Sequence, residues 1–109
     1  MQSDITFRTN LYLGMSISPE KVDKIKRKLV NRPLFSGVFV IALSKNSSDQ
    51  LEFYDAKQLQ QSYYRKNPPH IIGIAKDKAE AVSIIQQIVE ECLEVRGDCA
   101  IKEYLQCSI

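Results

Sequence analysis

The residues whose chemistry is most specific are one histidine and three cysteines. His70 follows Pro68-Pro69, so it opens a new segment and is expected to be partly exposed. A histidine can serve a serine or cysteine nucleophile as general base, but nothing beside His70 supplies that partner. Cys92, Cys99 and Cys107 together with His70 number four candidate metal ligands, yet no C-x₂₋₄-C spacing occurs, so no metal site is expected. Cys92 falls on an apolar helical stripe, where a cysteine serves as a small hydrophobe. Cys99 is expected in the first turn of the last helix, where a thiol pKa is lowered, and it is the thiol worth testing. No set of catalytic groups converges in the sequence, so no catalytic residue is assigned and no cofactor is implied. A small-ligand or enzymatic site near Cys99, His70 or Lys76 stands as an alternative.

The second candidate is cationic. Residues 18–32 carry Lys21, Lys24, Lys26, Arg27, Lys28 and Arg32 against Glu20 and Asp23, and the rest of the chain is more acidic than basic. On a helix, Lys21, Lys24, Arg27 and Lys28 point away from the apolar face of Val22, Ile25 and Leu29. Such a face could grip phosphates, with a salt-dependent affinity. The competing account is a solvated helix exterior, or one turned toward the acidic Glu90, Glu91 and Glu94. No Gly-rich loop or base-stacking platform accompanies the charge, so nucleic-acid binding is the alternative and not the leading reading.

The third candidate is Tyr63-Tyr64-Arg65-Lys66-Asn67-Pro68-Pro69-His70, where aromatic and basic side chains adjoin at a helix end. Tyr64, Arg65, Lys66 and His70 are the residues expected to form any ligand- or partner-binding surface. Adjacent helical positions diverge by about 100°. One tyrosine should therefore be buried, and the apolar spacing assigns Tyr63 inward and Tyr64 to the surface. Two further segments, Gly14–Ser18 and Gly73–Asp77, precede helices and could offer backbone N–H groups to an anion. Neither has phosphate-loop spacing. Gly73 lies inside a strand, where it permits close packing.

The elements that must position these residues follow from hydrophobic periodicity. Residues 5–13 alternate, with Phe7, Leu11 and Leu13 opposite Arg8, Asn10 and Tyr12, as in a strand with one buried face. Ser18-Pro19-Glu20 reads as N-cap, first-turn proline and acid, and Arg32-Pro33 ends the helix that follows. Residues 37–44 (GVFVIALS) are apolar on both faces, which predicts an interior strand. A polar turn and the alternating Leu51 to Asp55 complete a hairpin whose second strand lies nearer an edge. Asp55 can cap a short helix reaching about Lys66, and His70 to Ala75 forms a fourth strand. Asp77 resembles the cap of a capping box with Glu80. The helix over residues 78–96 is the longest, Gly97 suits its C′ position, and Asp98 can cap a last helix carrying Ile101, Tyr104 and Leu105.

The order β-α-β-β-α-β-α-α predicts one α+β domain over residues 1–109, a four-stranded sheet with helices packed on it. The plan is ferredoxin-like, or a mixed sheet of order 3-2-1-4, which keeps the apolar second strand inside. Both connecting helices then share one face. The other face is covered by the C-terminal helices or by a second copy.

Length and composition bound the rest. A chain of 109 residues suits one domain, and 44% hydrophobic with 26% charged residues excludes a disordered chain. Residues 38–43 are too few to span a bilayer, so no membrane partner is expected. The first residues lack a basic-then-apolar leader, and an odd cysteine count suits reduced thiols, so a cytoplasmic location is expected.

The segments LYLGMSIS, GVFVIALS, QLEFYDAKQL, HIIGIAKDKAEAV and VRGD resemble a family of small uncharacterised bacterial proteins of this length. The resemblance spans most of the chain and implies a cytosolic bacterial protein; it carries no catalytic residue. The leading expectation is a non-enzymatic binding or protein-interaction module that self-associates, as a homodimer, through an uncovered sheet face.

Overall fold

A computed structural model describes residues 5–31, 37–44 and 50–107. The elements in chain order are β1 (Thr6–Leu13), a 3₁₀ turn (Pro19–Lys21) running into α1 (Val22–Asn31), β2 (Phe39–Leu43) and β3 (Leu51–Asp55). A second 3₁₀ turn (Ala56–Gln60), α2 (Ser62–Lys66), β4 (His70–Ala75), α3 (Lys78–Arg96) and α4 (Ile101–Cys107) follow. The polar turn after β2 and the Arg32-Pro33 helix stop lie outside the described residues.

The four strands form one mixed sheet in the order β1-β4-β2-β3. β1 runs parallel to β4, and β2 is antiparallel to both β4 and β3. The element order, the mixed sheet, the interior β2 and the edge β3 are those expected from the sequence. A ferredoxin-like order would put β2 at an edge, and it does not occur. Relative to 3-2-1-4, β1 and β4 exchange places. The reason lies in their side chains. Ile71, Ile72, Ile74 and Ala75 of β4 are all fully buried, on both faces, which suits a strand inside the sheet. β1 exposes Thr9 and Asn10 and tolerates an edge. At Gly73 a Cβ would sit 3.2 Å from both Ile41 Cδ1 and the Tyr12 carbonyl oxygen, so a side chain there would press on both neighbouring strands.

Helices cover both faces of the sheet. On one face, Val38, Val40, Tyr54, Ile71 and Ile74 pack with Leu29 of α1 and with Ala56 and Leu59. α1 and the β3–β4 connection therefore share a face, as right-handed crossovers require. On the other, Ile41, Ile72 and Ala75 pack with Ala81, Ile84, Ile88 and Cys92 of α3 and with Ile101 and Leu105 of α4. The second face is thus filled by the chain's own C-terminal helices. Among the described residues no sheet face is left uncovered for the expected self-association.

Caps hold the covering helices in place. Asp77 Oδ1 accepts from the Glu80 N–H at 2.9 Å, and Gly97, at φ 77°, closes α3 in the left-handed region that favours glycine. Asp98 Oδ1 accepts from the Ala100 N–H at 3.0 Å. Gln50, just before β3, completes the start of α4. Its Oε1 accepts from the Ile101 N–H at 2.5 Å and its Nε2 donates to the Cys99 carbonyl at 2.7 Å.

Candidate functional site

Strand β3 ends the sheet, and among the described residues no strand pairs with its outer side. Its register with β2 is unbroken over five residue pairs, Phe39↔Asp55 to Leu43↔Leu51. The ladder is bracketed by Ser44 N–H to Gln50 O at 3.1 Å and Ala56 N–H to Val38 O at 3.0 Å. Hydrogen-bonded pairs alternate in an antiparallel ladder, so Glu52 and Tyr54 bond inward to β2. Leu51 and Phe53 direct their N–H and C=O groups outward, and Asp55 its N–H, while the Asp55 C=O opens the 3₁₀ turn.

Aromatic rings border this row on both faces. On the α3 face, Phe53 lies beside Phe39, ring centroids 6.5 Å apart, and both are half-buried. On the α1 face, Tyr54 packs on Tyr64 at 4.7 Å, and Tyr63 meets Tyr64 edge-on at 4.9 Å. Tyr64 is hydrogen-bonded to Glu52. Burial first, then the Glu52 charge, pushes the Tyr64 hydroxyl pKa up. These groups line an open groove of about 410 Å³ that also takes in Asp55, Gln58 and Lys78.

The opposite edge, β1, is built differently. Phe7 pairs with Ile71 and Tyr12 with Gly73, so β1 carries extra residues between its paired positions. Arg8 is buried against the Tyr12 ring, 5.3 Å from its centroid, and its Nη1 donates to the Asn10 carbonyl. Lys26 of α1 sits over the Phe7 ring at 5.4 Å. A bulge, an inward-pointing charge and a covering lysine are devices that stop an edge from pairing with another chain. β3 has a regular ladder and short length, with Glu52 as its mid-strand charge.

The sequence-derived candidates are dispersed. Tyr64 belongs to the β3 groove. Arg65 and Lys66 are exposed on α2, and His70 lies across the sheet, where its Nδ1 shares a 2.7 Å hydrogen bond with Thr6 Oγ1 of β1. The two tyrosines are also reversed: Tyr63 is 55% exposed, while Tyr64 is half-buried. Gln61, at φ −68° and ψ 147°, interrupts the helix and resets its phase, which turns Tyr64 inward.

Lys21, Lys24, Arg27 and Lys28 are exposed along the 3₁₀ turn and α1. α1 and α3 lie on opposite faces of the sheet, so this cationic side does not face Glu90, Glu91 and Glu94. Cys92 is buried, and its Sγ donates to the Asp98 carbonyl at 3.2 Å. Cys99 is exposed and lies two residues before α4, not inside its first turn as expected. His70 and Lys76 stand at opposite ends of β4, and no hydrogen bond among the described residues joins either to Cys99. Among the described residues, no group of three or more His, Cys, Asp and Glu side chains could hold a metal ion. The candidate anion loops are internally satisfied. The Glu80 carboxylate accepts from Lys76 N–H at 2.9 Å and from Ser16 N–H at 3.1 Å.

Two features were missed from sequence. One is the groove lining: Phe39, Glu52, Phe53 and Lys78 come from three elements, and only the alternation of Leu51–Asp55 signalled an edge. The other is a polar cluster between β1, α3 and α4. Tyr12 donates to Glu91 Oε1 at 2.6 Å, Tyr104 donates to the same oxygen at 3.3 Å, and Gln87 Nε2 donates to Oε2 at 3.0 Å. Burial pushes the Tyr12 hydroxyl pKa far up, and the hydrogen bond to Glu91 adds to it. The cluster is a fully bonded fastener between layers and leaves the carboxylate committed.

No helix among the described residues is long and apolar enough to cross a membrane. No family model matches the chain, and comparison with curated proteins and with solved structures yields no match.

Proposed function

We propose that the protein is a non-enzymatic interaction module that binds an extended segment of another protein chain by adding it as a strand to β3. The observation that carries this reading is the outward row of backbone groups at Leu51, Phe53 and Asp55, bordered by Phe39 and Phe53 on one face and Tyr54 and Tyr64 on the other. Main-chain hydrogen bonds would supply affinity and the flanking pockets specificity, as in other strand-addition complexes. With the second sheet face filled, β3 is also where a second copy would meet complementary backbone groups. Cytosolic residence belongs to this reading and is supported by the free thiols of Cys92 and Cys99.

Backbone amide shift mapping with a panel of heptapeptides of alternating polar and apolar residues tests it. The expected perturbations concentrate at the amides of Leu51, Phe53 and Asp55. Perturbation confined to α1, or none with any peptide, overturns it.

A second reading is favoured by one observation, the separation of the α1 cations from the acids of α3. Lys21, Lys24, Arg27 and Lys28 then form a nucleic-acid interface. Binding would be weak, would fall steeply with salt, and would vanish on reversing Lys24, Arg27 and Lys28 to Glu.

A further inference from the structure

Resting on the strand-addition reading, we infer that the segment received by β3 alternates basic and apolar residues, with the basic side chains on the tyrosine face of the sheet. Successive side chains of an added strand point to opposite faces. On the α3 face it meets Leu51 and Phe53, with Phe39 behind them, an apolar and aromatic strip. On the α1 face it meets Glu52, Tyr54 and Tyr64. There a cation would pair with the Glu52 carboxylate, with its aliphatic stem lying against the aromatic wall of Tyr54 and Tyr64.

The same charges disfavour a second copy. β3 carries Glu52 and Asp55 and no base. Antiparallel self-pairing centred on Phe53 satisfies the outward backbone groups, but it sets the Glu52 side chains of two copies diagonally on one face, about 7–8 Å apart. Two carboxylates line the groove against the single Lys78. The chain as a whole is net +2, so general attraction to the protein cannot be the reason a cationic segment binds.

The test compares the heptapeptides Lys-Val-Lys-Val-Lys-Val-Lys and Glu-Val-Glu-Val-Glu-Val-Glu, by backbone amide shifts, on the intact protein and on Glu52→Gln and Glu52→Lys. The lysine peptide is expected to shift the amides of Leu51, Phe53 and Asp55 and to bind about tenfold more tightly than the glutamate peptide. Glu52→Gln should shrink that preference and Glu52→Lys should reverse it. Equal binding of the two peptides at β3 overturns the charge inference and leaves strand addition standing. A dimer by sedimentation equilibrium that dissociates in Phe53→Lys overturns it in favour of a second copy. Failure of both peptides and of self-association to perturb β3 overturns it together with the reading beneath it.

Discussion

The hydroxyl of Tyr12 donates to Glu91 Oε1 at 2.6 Å across 79 positions of sequence, tying the outer strand β1 to the helix behind the sheet. Tyr104 of α4 reaches the same oxygen, so one carboxylate joins three elements. Hydrogen bonds to a charged acceptor are stronger than neutral ones. Tyr12→Phe should therefore cost about 1.5 kcal/mol of unfolding free energy, read by urea denaturation. An unchanged midpoint would show that the cluster does not fasten the layers. Burial alone would raise the Glu91 pKa, but the bonds from Tyr12, Gln87 and Tyr104 and the nearby Arg8 outweigh it and hold the carboxyl below its ordinary 4.5. A folded-state pKa below the unfolded one gives stability that is complete above 4.5 and is lost as pH falls through the lower folded value. Glu91→Gln should flatten that acid limb.

His70 titrates in a different window. Burial, then the Arg8 charge, holds its pKa below the ordinary 6.5. The unfolded chain then binds the proton first as pH falls. Stability from this source is present above about 6.5 and is lost as pH drops through the folded value. An imidazole midpoint below 6.5 in proton NMR, with Thr6→Val changing it, checks the assignment. A midpoint above 6.5 would contradict it.

Gly14 and Glu80 are coupled by space. A Cβ on Gly14 would stand 2.1 Å from Glu80 Oε1 and 3.3 Å from the Ala75 Cα. Gly14→Ala should dislodge the carboxylate from the Ser16 and Lys76 amides and lower Tm by a few degrees. Glu80→Ala removes the same bonds, so the double variant should lose less than the sum of the two. Additive losses in thermal denaturation would mean that the contact is not shared.

Much of this architecture was legible in sequence. The two-faced apolar pattern of Val38 to Leu43 marked an interior strand, and Asp77 and Gly97 marked the ends of α3. What was not legible depends on contacts distant in sequence. Gln50 caps a helix that starts at Ile101, and no local pattern announces it. The Tyr63 and Tyr64 assignment reversed because Gln61 breaks the helix without a proline or glycine to signal it. β1 and β4 exchanged although residues 70–75 carry the same two-faced apolar pattern as β2, the pattern that marks an interior strand. The candidate edge was half visible: Leu51–Asp55 alternated as an edge should, but Phe39 and Lys78 join it only in the folded chain.

The two described thiols should differ sharply. Cys92 is buried, and burial followed by the Asp98 charge pushes its thiol pKa up, whereas Cys99 is exposed. Maleimide pulse labelling with peptide mass spectrometry should modify Cys99 in the native protein and Cys92 only after denaturant is added. Equal rates at both would contradict the packing of α3 on the sheet.

The most direct test of β3 as the docking edge is residue-resolved amide hydrogen exchange, on the free protein and with saturating lysine–valine heptapeptide. Exchange is expected to be slow at Glu52 and Tyr54 throughout, and fast at Leu51, Phe53 and Asp55 until the peptide is bound. Slow exchange at Leu51 and Phe53 in the dilute free protein, or no slowing there while the peptide binds elsewhere, would contradict it.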